Sequence, residues 1–209
     1  MSDAGEPAPR TVREERSLSP MRRTIADRLG ESYREAVHVT LSREVDAEAL
    51  LARIDAAGDG DGPDPSLLDA LIDALSAALE DHPAFNATFE DGTHRVYEEH
   101  NVGVAVAIED GLVTPVLPDV ASKSLADIAR ERRDLTERVQ AGDYTMRTFA
   151  GGTITVSNLG PLGVDSFTPV SNPPDVAILG VGRVTEAVVP GDTANEVARQ
   201  QRLTLDLSF

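Results

Sequence analysis

Residues 151–160 read GGTITVSNLG, a β-branched run that starts after two glycines and ends in Ser157-Asn158-Leu159-Gly160. Such a run is typical of a buried strand, and the Asn and Gly that follow it are typical of a turn. It comes after the most regular helical pattern of the chain, SLADIARERRDLTERVQAG, which begins at Ser124 and ends at Gly142. Two more strand-like stretches follow, PDVAILGVGRV and RLTLDLSF. A helix followed by several strands indicates a sheet that carries helices.

The remaining elements follow from capping signals and periodicity. Ser19 and Pro20 predict a helix N-cap and its first residue, and Ser124 with Asp127 predicts a capping box. Further elements are predicted as strands at 37–46, 101–109, 174–184 and 202–209 and as a helix at 64–82. We expect residues 1–17 to be a flexible tail, and 18–209 to form one α+β domain. This domain is predicted to be a two-layer sandwich of a mixed β-sheet with helices on one face.

Two predicted strands have a clear apolar face. In the strand at 37–46, Val37, Val39 and Leu41 point the same way. In RLTLDLSF, the apolar residues Leu203, Leu205, Leu207 and Phe209 alternate with Thr204, Asp206 and Ser208. Chains rarely stop on such a strand, because termini fray unless they are tied down. We therefore expect further chain after Phe209, and an uncovered apolar face without it.

Composition limits the function classes. The chain carries 36 acidic and 19 basic residues, a net charge of −17, which makes nucleic acid a poor partner. The acids are spread along the whole chain, which favours a halophilic source. There is no cysteine, so disulfides and thiolate chemistry are excluded, and no apolar run reaches membrane-spanning length. No secretory signal is recognisable, so we expect a cytoplasmic location.

The histidines give no metal pattern. His38, His82, His94 and His100 lack metal-ligand spacing, and we predict no metal site. His82 lies at a predicted helix end, where capping is the expected role, and His94 and His100 are expected to be exposed. For His38, a structural role outweighs a catalytic one by roughly 2:1, because imidazole serves either role readily.

Ser157 is the strongest candidate for chemistry. It lies at a strand end before a Gly- and Pro-rich loop, where a hydroxyl is well placed to meet a ligand. From the residues alone, the alternative that Ser157 and Asn158 only close a turn stays ahead. No G-x-S-x-G elbow and no P-loop occur, and GVGRV at 180–184 does not fit a dinucleotide fingerprint.

Taken together, the motifs resemble the catalytic domain of the dihydrolipoamide acyltransferases of 2-oxoacid dehydrogenase complexes. The stretches that carry the resemblance are SPMRRTIADRLGESYREAVHVTLSREVD, NVGVAVAIEDGLVTPVL, the helix from Ser124 with GGTITVSNLG, and FTPVSNPPDVAILGVGRV. The resemblance implies a fold like chloramphenicol acetyltransferase, with trimers that bury a channel at each subunit interface and often form larger cores. The resemblance also implies acyl transfer between a lipoyl group and coenzyme A, which are both substrates. It further implies that the other subunits of the complex are partners.

The resemblance also implies residue roles. Ser157 matches the hydroxyl that stabilises the tetrahedral oxyanion, so its functional reading now outweighs the turn. We expect His38, Asn158 and Thr114 along the substrate channel. The family's general-base histidine follows a strand like LTLDLSF, so we expect it to be absent from this chain. Val37 stands where the family usually has Pro, and no lipoyl domain is recognisable.

Two alternatives stay open beside the acyltransferase. In the first alternative, the chain is a non-catalytic, trimer-forming scaffold or a coenzyme A-binding module that lacks the base. A weaker alternative makes His38 a substitute base.

Overall fold

A six-stranded mixed sheet forms the centre of the protein. The structure is a computed structural model that describes residues 10–57, 63–109, 111–191 and 196–209. The strands are β1 Thr40–Asp46, β2 Ala87–Glu90, β3 Thr93–Val96, β4 Val102–Val104, β5 Val106–Ile108, β6 Gly111–Val113, β7 Val116–Leu117, β8 Ile154–Asn158, β9 Ile178–Pro190 and β10 Val197–Ser208. The sheet order is β1-β10-β9-β8-β4-β7, and β8 pairs in parallel with both β4 and β9. The other pairs of this sheet are antiparallel.

Helices pack on one face of this sheet, except the first, which contacts the small β5–β6 ribbon. They are α1 Pro20–Glu35, α2 Glu48–Ala57, α3 Leu67–Asp81 and α4 Leu125–Gln140. The core joins α3 and α4 to the apolar side of the strands and is built from Leu71, Ile72, Leu79, Val102, Val104, Leu117, Ile128, Val139, Ile154, Val156, Leu179, Val181 and Leu203. This arrangement confirms the predicted α+β fold with a mixed sheet.

The predicted helix signals are confirmed. The Ser19 hydroxyl accepts a hydrogen bond from the Arg22 N–H, and the Ser124 hydroxyl accepts one from the Asp127 N–H. Gly142 follows α4 at φ +80°, a conformation that glycine adopts without a steric cost. His82 is the C-cap residue of α3, as expected.

The predicted strand at 101–109 is wrong as one element. It divides into β4, which stays in the six-stranded sheet, and β5, which pairs with β6 in a separate ribbon. The chain folds back between Ile108 and Gly111, so that β5 pairs with its own continuation and leaves the large sheet. Asp110, at the predicted turn, lies outside the described residues, as do positions 1–9 of the predicted tail and 58–62 of the acidic loop.

The two strands with apolar faces differ from expectation. β10 lies inside the sheet between β1 and β9, and Leu203 is buried, so the expected uncovered face is wrong for its inner part. Phe209 stacks edge-on against Phe85, with ring centroids 5.4 Å apart. In contrast, Val37, Val39 and Leu41 are 93%, 56% and 60% exposed at the edge of the sheet. In the described part of the chain, no helix is long and apolar enough to cross a membrane.

Candidate functional site

Ser157 lies on the face of the sheet that is opposite to the helices. Alternation along β8 points Ile154 and Val156 into the core, and Thr155 and Ser157 to the other side. We call this other side the polar face, which also carries Gly180, Asp206 and Ser208 at register positions beside them. Ser157 is 7% exposed, and within the described residues its hydroxyl makes no hydrogen bond. A hydroxyl in this setting is free to donate to a ligand.

Glycines in β9 let the loop that follows Asn158 pack closely against the polar face. The segment after Asn158 turns at Gly160–Leu162 and returns above β9. A Cβ at Gly182 would lie 2.1 Å from the backbone oxygen of Asp165, so a larger residue does not fit there. The glycines of GVGRV thus serve close backbone approach beside Ser157.

Asn158 closes the turn after β8. Its side-chain oxygen accepts a hydrogen bond from the Gly160 N–H at 3.0 Å. Asn158 follows Ser157 directly, so its side chain leaves the strand on the opposite face. Asn158 and Ser157 are thus neighbours in sequence, but their side chains lie on opposite faces of the sheet. The expected channel role of Asn158 stays a prediction.

His38 and Thr114 lie away from Ser157 in a single chain. His38 precedes β1, which is three strand spacings from β8, or about 14 Å. Its Nε2 accepts a hydrogen bond from the Ser171 N–H at 3.3 Å and lies 2.8 Å from the Ser171 hydroxyl. Thr114 lies between β6 and β7, and β7 is two spacings, about 10 Å, from β8. Their channel roles stay predictions.

The other histidines also have partners outside this site. His94 Nε2 donates to the Ala84 carbonyl at 3.2 Å. His100 is buried, with Nδ1 2.8 Å from the Ser76 hydroxyl, so its expected exposure is wrong. Its position is decided by α3 packing over the segment before β4. A lone His in a polar stretch gave no signal of this.

Asp175 is a buried carboxyl near Ser157 that the sequence patterns do not reveal. The Thr155 hydroxyl donates to its Oδ2 at 2.7 Å, two residues before Ser157 on the same face. Burial raises the pKa of Asp175 to about 6, although the hydrogen bond from Thr155 opposes the rise. Asp175 follows two prolines in a loop, and a single Asp in such a place reads as ordinary turn chemistry.

Asp206 is a second buried carboxylate that alternation assigns to the polar side of β10. It is fully buried and accepts hydrogen bonds from the Ser166 hydroxyl and the Phe167 N–H, each at 3.0 Å, and from the Ser42 hydroxyl. These donors come from β1 and from the loop that crosses the polar face. Asp206 therefore ties this loop to the sheet.

Within the described residues, Ser157 belongs to no cluster that could hold a metal ion and to neither of two surface depressions. Within the described ranges, no group of three or more His, Cys, Asp or Glu residues could hold a metal ion. One depression lies beside α4 and is lined by Val116–Pro118, Arg130 and Arg138, and the other is lined by Glu80, Tyr97 and His100. Ser157 lines neither depression and is itself nearly buried.

Comparison with known proteins gives the family. A sequence model described as 2-oxoacid dehydrogenases acyltransferase (catalytic domain) matches residues 11–209. The dihydrolipoyllysine-residue acetyltransferase component of the pyruvate dehydrogenase complex from Staphylococcus aureus is 34% identical over 197 residues, covering 92% of this chain and 45% of the relative. The Bacillus subtilis component is also 34% identical, covering 92% and 44%. The chain thus spans less than half the length of these curated relatives.

Solved structures agree with the sequence match. The dihydrolipoamide acetyltransferase of Azotobacter vinelandii aligns with a TM-score of 0.88 and 29% identity, covering 98% of this chain and 88% of that one. A probable dihydrolipoamide acetyltransferase from Listeria monocytogenes aligns with a TM-score of 0.86 and 28% identity, covering 93% and 84%. The chain therefore belongs to the family of 2-oxoacid dehydrogenase acyltransferase catalytic domains.

Proposed function

We propose that this chain carries the acyltransferase centre of a 2-oxoacid dehydrogenase complex and moves an acyl group between a lipoyl group and coenzyme A. The observation that supports this most directly is the free, nearly buried hydroxyl of Ser157 on the polar face, at the position that the family resemblance assigns to the oxyanion donor. The lipoyl group and coenzyme A are substrates here, and another domain or protein supplies the lipoyl group. No metal takes part in the proposed reaction.

The proposed role of Ser157 follows from the charge that develops during transfer. The attacking thiol gives its proton to a base, and its sulfur forms a bond to the thioester carbonyl carbon. The carbonyl electron pair moves onto oxygen, where the Ser157 hydroxyl donates a hydrogen bond. Collapse of this intermediate breaks the other carbon–sulfur bond, and the proton returns to the leaving sulfur. The structure of the Azotobacter vinelandii enzyme concerns a serine, a histidine and an asparagine in that enzyme's catalytic mechanism.

We propose that the general base, which takes the proton of the attacking thiol, is not one of the described residues of the same chain. None of His38, His82, His94 and His100 is placed beside Ser157 in the described part of the chain. The resemblance implies a histidine that reaches the hydroxyl of a facing subunit. The proposed site therefore lies at the interface between two subunits.

We also propose a homotrimer or a larger symmetric core. The exposed residues Val37, Val39 and Leu41 support it, because a strip of large apolar side chains at a sheet edge favours burial against a partner. The cubic core of a pyruvate dehydrogenase multienzyme complex aligns with a TM-score of 0.88 and 29% identity, covering 98% of this chain and 88% of that one. Other subunits of such a complex are the proposed partners. Sedimentation of the folded chain as a monomer only would contradict this assembly.

The test of the reaction is acyl transfer from acetyl-CoA to dihydrolipoamide, measured in molar salt on folded protein. In a protein extended after Phe209 by a segment that carries the general-base histidine, Ser157→Ala is expected to lower turnover by about 10²–10³-fold, the usual loss of one oxyanion donor. Ser122→Ala is the matched control, because Ser122 is exposed and its hydroxyl donates a hydrogen bond to the Asp119 carbonyl, away from Ser157. Equal turnover by wild type and Ser157→Ala would contradict the role of Ser157.

A non-catalytic scaffold is the second candidate, and the placement of the histidines away from Ser157 favours it. It predicts a folded oligomer that neither turns over nor binds coenzyme A tightly. His38→Gln separates the remaining alternative, because only a substitute base at His38 makes that change abolish turnover. We further propose a cytoplasmic location. We also propose a halophilic source, which the net charge of −17 supports.

A further inference from the structure

Ser157, Gly180 and Asp206 form a row across the polar face. Ser157 is the register partner of Gly180 in the parallel pairing of β8 with β9, and Gly180 is the partner of Asp206 in the antiparallel pairing of β9 with β10. Partners in register lie on the same face and are separated by one strand spacing of about 5 Å. The residue beside Ser157 on this face is thus a glycine, which has no side chain, and the next residue is the buried Asp206.

Phe167 fills the space above that glycine. A Cβ at Gly180 would lie 2.9 Å from Cζ and 3.2 Å from Cε1 of the Phe167 ring. The ring therefore rests against the backbone next to Ser157, on the face from which its hydroxyl projects. Phe167 is only half-buried, so part of this residue remains open to solvent.

Asp206 sets the position of this ring. Its Oδ2 accepts the Phe167 N–H and its Oδ1 accepts the Ser166 hydroxyl, each at 3.0 Å. The Ser42 hydroxyl donates to Oδ1 as well, which fixes the carboxylate from the β1 side. A fully buried side chain with donors from two elements ties these elements together, because losing a donor would leave a buried oxygen without its hydrogen bond.

We propose that Phe167 is a side wall for the acyl group of the thioester held at Ser157, and that Asp206 is its positioning residue. The wall limits the width of the acyl group that fits beside the Ser157 hydroxyl. This proposal rests on the proposed acyltransferase function and adds a determinant of acyl size. Gly180 is part of the same arrangement, because any side chain at this position would displace the Phe167 ring.

The test compares two thioesters of different width on the full chain. Acetyl-CoA and isobutyryl-CoA are titrated into wild type, Phe167→Ala and Phe89→Ala in molar salt, and the ratio of the two Kd values is taken for each. Phe167→Ala is expected to shift the ratio toward isobutyryl-CoA by about tenfold, the usual effect of one or two methyl groups in a pocket. Phe89 is the matched control, because it is an exposed phenylalanine on β2 and its truncation should leave the ratio unchanged.

The test of Asp206 uses the ratio of the two Kd values, because general destabilisation would weaken binding of both thioesters and leave their ratio unchanged. Asp206→Ala is expected to shift the same Kd ratio in the same direction as Phe167→Ala, and the double variant to shift it no further than either single variant. Asp206→Asn keeps one acceptor oxygen and is expected to restore part of the wild-type ratio. Denaturation curves in the same buffer establish that each variant is folded.

The outcomes separate the two levels of the proposal. Failure of wild type to bind either thioester overturns the proposed function and this inference with it. Binding of both thioesters, with a ratio that Phe167→Ala leaves unchanged, overturns the wall alone. A ratio shift in Phe167→Ala that Asp206→Ala does not reproduce overturns the positioning role of Asp206.

Discussion

The Thr155 hydroxyl donates a hydrogen bond of 2.7 Å to the carboxylate of Asp175, joining β8 to the loop that precedes β9. Asp175 is buried, and this hydroxyl is its side-chain partner. The hydrogen bond lies on the polar face, and Thr155 is two residues before Ser157 on the same strand. Its hydrogen bonds come from neutral groups, the Thr155 hydroxyl and the backbone, and its burial therefore affects how the stability of the fold depends on pH.

Asp175→Asn is expected to stabilise the protein at neutral pH. The pKa of Asp175 is about 6 in the folded protein and 3.8 ordinarily, mainly because of burial. The folded state therefore binds the proton more tightly than the unfolded chain, and its contribution to stability is lost as pH rises from about 4 to about 6. A shift of this size corresponds to about 3 kcal/mol at most.

Urea denaturation between pH 4 and pH 8 tests this difference. Asn cannot ionise, so the variant should show a flatter pH dependence and a higher midpoint at pH 8. Asp134→Asn, at an exposed position on α4, is the control. A variant that is less stable than wild type at pH 8, with the wild-type slope, would contradict the burial effect.

The buried Asp69–Arg132 ion pair is expected to matter as a unit. Burial tends to raise the pKa of Asp69, but hydrogen bonds from Arg132 and Ser66 outweigh it and hold the pKa below its ordinary value. This contribution is lost as pH falls through the folded-state pKa, opposite in sign to that of Asp175. Asp69→Leu should cost about 3–5 kcal/mol, because it leaves Arg132 buried without its partner.

A double variant and a surface pair complete that experiment. Asp69→Leu with Arg132→Leu should recover much of the loss, because no buried charge remains uncompensated. Asp73→Asn, which removes the partner of the exposed Arg53, should cost only about 0.2–1 kcal/mol. Additive losses in the double variant would show that the pair is not coupled.

Gly182→Ala is expected to destabilise the protein by about 1–3 kcal/mol through overpacking. Its Cβ would lie 2.1 Å from the Asp165 backbone oxygen, and backbone cannot move aside as a flexible side chain can. Gly152→Ala is the matched control, since its Cβ would make contacts of 3.5 Å or more. Thermal unfolding of both variants measures the difference, and equal Tm values would contradict the close approach of the loop.

The fold is expected to loosen at low salt. A net charge of −17 causes self-repulsion that concentrated salt screens, because the Debye length is about 3 Å at 1 M and about 30 Å at 0.01 M. Circular dichroism across a titration from molar salt to dilute buffer measures the loss of structure. An unchanged spectrum in dilute buffer would contradict the halophilic interpretation.

The regular elements could be predicted because their signals are local. The caps at Ser19 and Ser124, the stop at Gly142 and the strand before Ser157 depend on neighbouring residues, and the structure has each of them as predicted. The division of 101–109 was missed, because a continuing apolar pattern does not show which partner strand its second half will choose.

By itself, the sequence determined the helices and most of the strands, the α+β class, the acidic surface and the family to which the chain belongs. Only the tertiary structure decided that Asp206 is buried beneath the Phe167 loop, that Asp175 meets Thr155, and that His38 lies far from Ser157. The physical reason is that burial and pKa depend on which distant segment covers a residue. Alternation along a strand fixes the face of a side chain, but not what is packed on that face.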